Sequence, residues 1–181
     1  YPMSAFLYLA SDHPLPERPN PHLRTLSVRE ALELGMEVPD FLLEPGVDQD
    51  ALDTILWSDL ELRIDTAAPL PADPGPDDDF AVWPLEEKLL DMRTEKPYYA
   101  CVEWGQYSPG RGRLLLEYLR EQMQHTRDLE FWHIWMDGAL DHPFRQAVIP
   151  LTELTVEDIS ELAQADFSHE PPTDYCFRII R

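Results

Sequence analysis

Basic residues are scarce in this sequence, and lysine is nearly absent. Lysine and arginine together number 14, aspartate and glutamate number 35, and the formal net charge is −21 at pH 7. Nucleic-acid-binding proteins neutralise phosphates with clustered lysines and arginines, and proteins that bind anionic membrane surfaces use the same charges. The composition therefore predicts no nucleic-acid or membrane partner, and electrostatics favours a basic protein or a cation.

Cysteines and long apolar runs are also few, which bears on the cellular compartment. The two cysteines, Cys101 and Cys176, fall in predicted strands, and buried thiols of this kind are typical of a reducing compartment. No apolar run approaches the roughly 20 residues of a membrane-spanning helix, and no signal peptide is predicted. We therefore expect a cytoplasmic protein without a structural disulfide.

Residues 98–136 carry the clearest secondary-structure pattern of the chain. Residues 98–104 are apolar on both faces of a predicted strand, and residues 105–112 form a glycine-rich turn. Helical spacing then continues to about residue 126, and residues 129–136 alternate as a second strand. This stretch is predicted to fold as strand, helix and strand.

The rest of the C-terminal half adds a second series of elements. These are a short strand at 146–150, a helix at 155–165 that begins with a capping box of Thr155 and Asp158, and a strand at 175–180. Residues 97–181 thus follow the βαββαβ order of a ferredoxin-like unit, in which helices cover one face of a mainly antiparallel sheet. We predict an α+β protein with this core. Its first and last strands would be neighbours and would bring Cys101 and Cys176 close together.

The N-terminal half, residues 1–96, is predicted to be an elaborated βαβ-type extension of that core. A strand is predicted at 6–10, either at an edge of the main sheet or in a second small sheet, and a helix at 27–35 begins with a capping box of Ser27 and Glu30. A second strand is predicted at 56–64, with Leu56 inward and Trp57 outward. A mobile proline-rich acidic loop at 67–79 and a helix at 84–92 follow it. We expect the extension and the core to form one compact domain.

The glycine-rich turn is a candidate anion site because it joins a strand to a helix, where a phosphate-binding loop would lie. Arg111 stands where such a loop has lysine, and Gly112 stands where it has a hydroxyl residue, which argues against nucleotide hydrolysis. Free amides at the helix start, with Arg111 and Arg113, could still bind a small anion or a carboxylate of a partner. A purely structural turn is the favoured interpretation, and the residues of the alternative anion site are Gly110, Arg111, Gly112 and Arg113.

The histidines and hydroxyl residues predict neither a metal site nor a catalytic triad. No histidine pair has helical i, i+4 spacing, and no C-x-x-C motif accompanies them, so we predict no metal and no cofactor. His133 shares a predicted strand face with Phe131 and Trp135, which is typical of a core histidine. Ser11 and His13 flank Asp12 directly, and neighbours on a strand point to opposite faces. No catalytic residue is therefore predicted.

Surface aromatics and carboxylates predict a protein interface instead. Trp57 is expected on a solvated strand face beside Asp59 and Glu61, and the predicted loop carries Asp77, Asp78 and Asp79. The favoured hypothesis is a non-enzymatic inhibitor or immunity-like protein, monomeric or homodimeric, that binds a basic protein. The alternative is a small-anion or small-ligand binding protein, or an enzyme, that uses residues 105–113.

About half of the chain resembles a known family. The opening segment FLYLASD at residues 6–12, Leu15-Pro16, and the later KPY and LEYLR segments at 96–98 and 116–120 are similar to a family of small uncharacterised bacterial proteins. That family opens with a YLAS-D segment and has a strand-turn-helix in its second half. Its turn is rich in cysteine, whereas residues 105–112 have none, so the resemblance implies no metal or redox role here. The family has no established activity, and it assigns no functional residue.

Overall fold

The structure, a computed structural model, describes residues 4–52, 55–58, 73–136, 143–164 and 173–181. Its strands are β1 (Ser4–Ser11), β2 (Leu23–Leu26), β3 (Ile55–Ser58), β4 (Ala81–Pro84), β5 (Tyr98–Glu103), β6 (Asp128–Met136), β7 (Phe144–Pro150) and β8 (Asp174–Ile180). Its helices are α1 (Val28–Glu33), α2 (Pro109–Gln122) and α3 (Val156–Ala163), and Asp40–Leu42 forms a 3-10 turn. The predicted α+β class is confirmed.

The chain divides into two compact units, and the boundary between them in the sequence is not at residue 96. The first unit comprises Tyr1–Pro19 and Ala72–Arg181, and the second is Asn20–Pro71. The predicted boundary between 1–96 and 97–181 therefore does not separate the units. The reason is that β1 and β4 belong to the same sheet as the C-terminal strands.

Six strands of the first unit form one mainly antiparallel sheet in the order β4-β5-β1-β6-β8-β7. Only the pair β7–β8 is parallel. Because β1 is antiparallel to both of its neighbours, β5 and β6 run parallel on either side of it. Helix α2 connects these two strands, α3 connects β7 and β8, and both helices pack on the same face. The buried residues that they share with the sheet include Leu9, Leu115, Leu119, Phe131, Ile159, Leu162 and Ile179.

The opposite face of the sheet is covered by residues 85–96, here called the crossing segment. Its apolar side chains pack near Tyr8 and Trp132, whose rings stack with their centroids 5.7 Å apart. The helix predicted at 84–92 is wrong, because Pro84 ends β4 and the backbone beyond it turns without forming a helix. The leucine spacing in this stretch places apolar side chains on the sheet rather than on one side of a helix.

Strand β1 lies inside the sheet, which changes the predicted topology. Its residues Tyr8, Leu9 and Ala10 are fully buried, since strands pair on both sides and a core covers each face. A ferredoxin-like unit would place one of its own strands between β5 and β6, and its first and last strands side by side. Here β1 lies between β5 and β6, and β1 and β6 together separate β5 from β8. The ferredoxin-like arrangement is therefore not confirmed.

Cys101 and Cys176 are consequently far apart. They lie in one row across the sheet, in which Cys101 is opposite Tyr8, Tyr8 is opposite Trp132, and Trp132 is opposite Cys176. Three strand spacings of about 4.8 Å put them about 14 Å apart, and both thiols are free. Their predicted proximity is wrong because it depended on the ferredoxin-like strand order.

The second unit is built from β2, α1 and β3. Its two strands pair antiparallel, so they do not form a parallel βαβ unit. Helix α1 has the predicted capping box of Ser27 and Glu30, and Gly35 follows it with a φ of 73°. Within the predicted strand 56–64, only residues 56–58 are described. Leu56 is exposed there, so its predicted inward orientation is wrong, and the half-buried face carries Trp57 instead.

Candidate functional site

Helix α2 begins inside the predicted glycine-rich turn. Ser108 is its N-cap, and the Ser108 hydroxyl accepts a hydrogen bond of 3.2 Å from the Arg111 amide. Pro109 occupies the first turn, where its missing N–H costs no helical hydrogen bond. Gly110 and Gly112 are therefore helical residues rather than turn residues. The candidate anion site is the first turn of an α-helix.

The Arg111 side chain is fully buried and binds the chain itself. Its Nη2 donates to the carbonyl oxygens of Pro74 at 2.6 Å and Pro76 at 3.0 Å, and Nη1 donates to the carbonyl of Gln106. Nη2 also forms an ion pair of 3.3 Å with Asp79 Oδ2. The guanidinium group therefore holds residues 73–79 against α2 and leaves no group for a ligand to contact in this conformation.

Asp77 lies directly over the first turn of α2. A Cβ atom at Gly110 would come within 1.9 Å of Asp77 Cγ, so only glycine leaves room for this carboxylate. Asp77 Oδ1 accepts a hydrogen bond of 3.2 Å from the Ser108 hydroxyl, and Asp77 Oδ2 is 3.9 Å from Arg113 Nη2. Because the helix dipole favours negative charge at this end, the chain supplies its own anion.

These contacts bring together two sets of residues that the sequence analysis treated separately. The anion-binding candidates Gly110, Arg111 and Arg113 contact or adjoin Asp77 and Asp79, which were predicted to bind a partner. The described part of the predicted mobile loop, residues 73–79, is anchored by these bonds, and residues 67–72 lie outside the described residues. We call the five residues that make these contacts the loop–helix junction, namely Asp77, Asp79, Ser108, Gly110 and Arg111.

Gly112 serves packing rather than ligand binding. A Cβ atom there would lie 2.5 Å from the Tyr107 hydroxyl. That hydroxyl donates a hydrogen bond of 3.3 Å to the carbonyl of Val156, the first residue of α3. Gly112 therefore lets Tyr107 join the starts of α2 and α3.

Burial shifts the pKa of both thiols and of one histidine among the described residues. Burial raises the pKa of Cys101 to about 11 and that of Cys176 to about 12, so both are protonated thiols at neutral pH. Burial also lowers the pKa of His133, which lies edge-to-face against Trp135 as the prediction of a core histidine requires. Among the described residues, no three histidine, cysteine or acidic side chains are arranged to hold a metal ion.

Carboxylates of the same unit engage many of the basic side chains. Lys96 lies between Asp12 and Asp128, and although burial opposes its charge, hydrogen bonds to these two carboxylates raise its pKa. Similar pairs bind other cations, so at least six of the 13 lysines and arginines in the described residues have a carboxylate partner. The paired cations are Arg29, Arg93, Lys96, Arg111, Arg113 and Arg178.

Trp57, the predicted interface aromatic, is half-buried and covered on one side. The guanidinium carbon of Arg24 lies 4.4 Å from the centre of its ring, which is cation–π geometry. Asp59 and Glu61, predicted to lie beside it, are outside the described residues. Asp78 is exposed on the loop.

A set of exposed apolar side chains in the second unit was missed by the sequence analysis. Phe41 is 64% exposed and Leu52 is 75% exposed, although both side chains are large and apolar. The described residues of this unit carry seven carboxylates and two arginines. We call the exposed apolar side chains of this unit the leucine-rich surface, namely Leu32, Leu34, Phe41, Leu43, Leu52 and Leu56. Periodicity gave no signal for it, because residues four apart share a helix face and Leu32 follows the buried Val28 at that spacing.

The described part of the chain contains no helix that is both long and apolar enough to cross a membrane. No known family model, no curated protein and no solved structure matches the sequence or the fold. The resemblance of the opening segment to the uncharacterised bacterial family therefore stays a prediction.

Proposed function

We propose that this protein is a non-enzymatic binding protein whose partner is a basic protein, in the manner of an inhibitor or immunity protein. The observation that carries the proposal is the leucine-rich surface, which lies in a unit with a large excess of carboxylates. Exposed apolar patches rimmed by polar groups are typical of protein interfaces. The net charge of −21 selects a cationic partner for that interface.

Burial of these side chains would supply binding free energy. Full burial of a leucine or phenylalanine side chain contributes about 1.5–3 kcal/mol. Phe41 and Leu52 have most of that contribution still available, because they are 64% and 75% exposed. The carboxylates of the same unit would raise the association rate with a basic protein and disfavour acidic competitors. The apolar side chains thus provide affinity and the charges provide selectivity.

The acidic loop has a smaller role in this proposal than the sequence suggested. Asp79 is bound to Arg111, and Asp77 lies over Gly110 beside Arg113. Carboxylates engaged in this way would have to leave their own partners before they could bind a second protein. The leucine-rich surface therefore replaces Asp77, Asp78 and Asp79 as the main expected contact.

The test is binding by the full chain, immobilised at low salt in a lysate of its own host. We expect it to retain a basic protein at fixed stoichiometry, whose affinity falls as salt rises. With that protein purified, the double variant Phe41→Ser, Leu52→Ser should weaken binding by about tenfold or more. Leu90→Ser is the matched control, since Leu90 is 91% exposed but lies in the crossing segment of the first unit.

The results that would contradict the proposal are specific. If the chain retains no basic protein at low salt, the proposal of a cationic partner is wrong. If Leu90→Ser and the double variant lose affinity equally, the leucine-rich surface is not the contact. If affinity does not change with salt, the electrostatic part of the proposal is wrong.

The alternative, a small-anion or small-ligand binding protein or enzyme at residues 105–113, has less support. Arg111 is buried against residues 73–79, and the Asp77 carboxylate lies where an anion would lie. Binding would require this loop to leave α2. A rise in melting temperature with phosphate that is lost in Arg113→Glu would favour the alternative.

A further inference from the structure

The two edges of the main sheet differ in their protection. On one side, β4 is four residues long, and Arg18 pairs with its outer edge through two backbone hydrogen bonds of 2.9 Å to Val82. On the other side, β7 is seven residues long and, within the described ranges, no strand or bridge pairs with its outer edge. Its side chains include Phe144 and Val148, and Val148 is 56% exposed.

Strand β7 also lacks most of the features that keep a sheet edge from pairing. Natural edge strands carry lysine, proline or a bulge, or they are very short. The one proline of β7 is its last residue, Pro150, and the strand contains no carboxylate and one charged residue, Arg145. In a chain of charge −21, the outer edge of β7 thus carries no carboxylate and, among the described residues, no paired strand.

On one face of this edge, Phe144 packs against side chains of neighbouring elements. The Phe144 ring stacks on Trp132 with centroids 5.4 Å apart and an interplanar angle of 17°. The guanidinium carbon of Arg93 lies 6.0 Å from the centre of the same ring. A pre-ordered strand loses less conformational entropy when it pairs than a mobile one does.

We propose that β7 pairs antiparallel with β7 of a second copy of this chain, which joins two six-stranded sheets into one. All seven residues overlap when Ala147 lies opposite Ala147 of the copy. Arg145 is then opposite Ile149 of the copy, so no like charges are directly opposed. The same patch serves both chains, as a two-fold dimer requires.

Charge is the reason that we expect a second copy of the chain, and not a basic protein, at the outer edge of β7. A basic protein would place its cations against Arg145. When two copies pair instead, the β7 strand of each copy contributes no carboxylate to the contact. Elsewhere on the described surface, carboxylates outnumber cations and two copies would repel each other. The acid-free edge is therefore where two such acidic chains can approach.

The test is sedimentation velocity of the full chain from low to high micromolar concentration. We expect the mass to rise from 21.0 kDa toward that of two chains. Val148→Lys places a charge on the edge and should raise the dissociation constant about tenfold or more. Val148→Thr keeps a β-branched residue and should retain the dimer. Leu90→Lys, an equally large change outside β7, should also retain it.

Hydrogen exchange supplies a second readout of the same contact. Alternate backbone amides of β7, those that point outward, should exchange more slowly at high concentration, because an antiparallel neighbour would accept their hydrogen bonds. If Val148→Lys fails to fold by circular dichroism, Arg145→Glu serves as the second variant, since it places a carboxylate at the same edge.

Three results would overturn the inference. The chain could stay at 21.0 kDa at every concentration. A dimer could form that neither Val148→Lys nor Arg145→Glu weakens. A dimer could instead be lost on Phe41→Asp, which would place the contact on the leucine-rich surface. Binding of a basic protein does not enter any of these results, so this test and that of the proposed function fail separately.

Discussion

Replacement of Arg111 by methionine should destabilise the protein more than any surface substitution. Methionine keeps the apolar part of the side chain and removes the guanidinium group. The carbonyls of Pro74, Pro76 and Gln106 then lose their donor, and Asp79 loses its cation. The perturbation therefore separates residues 73–79 from α2 without opening a large cavity.

The expected magnitude follows from the burial of this group. A hydrogen bond to a charged group contributes about 1.5–3 kcal/mol, but bonds that share one side chain do not add. Removal of one partner from a buried ion pair costs about 3–5 kcal/mol, and we expect a loss in that range for Arg111→Met. For a chain of this size, the melting temperature should fall by roughly 6–20 °C. Arg111→Lys should lose a smaller part, because lysine keeps the charge but not the planar fork.

Urea unfolding and hydrogen exchange would measure the effect together. Amides of residues 73–79 should exchange faster in Arg111→Met than in the parent, and the free energy of unfolding should fall. Arg113→Met is the control, since Arg113 is 62% exposed and its change should be no more than about 0.5 kcal/mol. A loss below about 1 kcal/mol with unchanged exchange would refute the assignment of Arg111 as the anchor of the loop.

Two further predictions concern groups in the first unit. Gly110→Ala should destabilise by about 1–3 kcal/mol and release residues 73–79, because its Cβ would collide with Asp77. Asp77→Ala in the same chain should restore much of the loss, and additive losses in urea unfolding would contradict this collision. Burial lowers the pKa of His133 below its ordinary 6.5, so the unfolded state binds more protons just below that pH. Stability should therefore decrease as pH falls through 6.5, and His133→Phe should remove that slope in urea titrations, whereas an unchanged slope would assign it to another group.

The local elements of residues 97–181 could be predicted because their patterns are regular. Strands β5, β6 and β8 alternate or are apolar on both faces, and Thr155 with Asp158 marks the start of α3. Their order in the sheet could not be predicted, because it depends on β1, which lies about 90 residues earlier in the chain than β5. A signal was present in Tyr8, Leu9 and Ala10. A strand that is apolar on both faces suits the interior of a sheet better than its edge.

The loop–helix junction shows a different limit of sequence analysis. Asp77 and Arg111 are both visible as charged residues near turns, but no periodicity relates residues 34 positions apart. Gly110 was predicted as part of an anion site because its turn joins a strand to a helix. A close approach does occur there, but the approaching group is the carboxylate of Asp77. The sequence pattern indicated a place for negative charge and could not identify Asp77 as the group that supplies it.

The internal ion pairs give the two proposals a common electrostatic basis with opposite consequences. Pairs such as those of Lys96, Arg111 and Arg178 cancel charges one for one, so they leave the net charge of −21 unchanged. A negative field attracts a basic protein and repels a second copy of the chain. Added salt screens both effects, with a Debye length of about 8 Å at physiological ionic strength. Affinity for a basic protein should therefore fall with salt, while self-association through β7 should strengthen. A salt titration that follows both readouts can thus refute either proposal and leave the other standing.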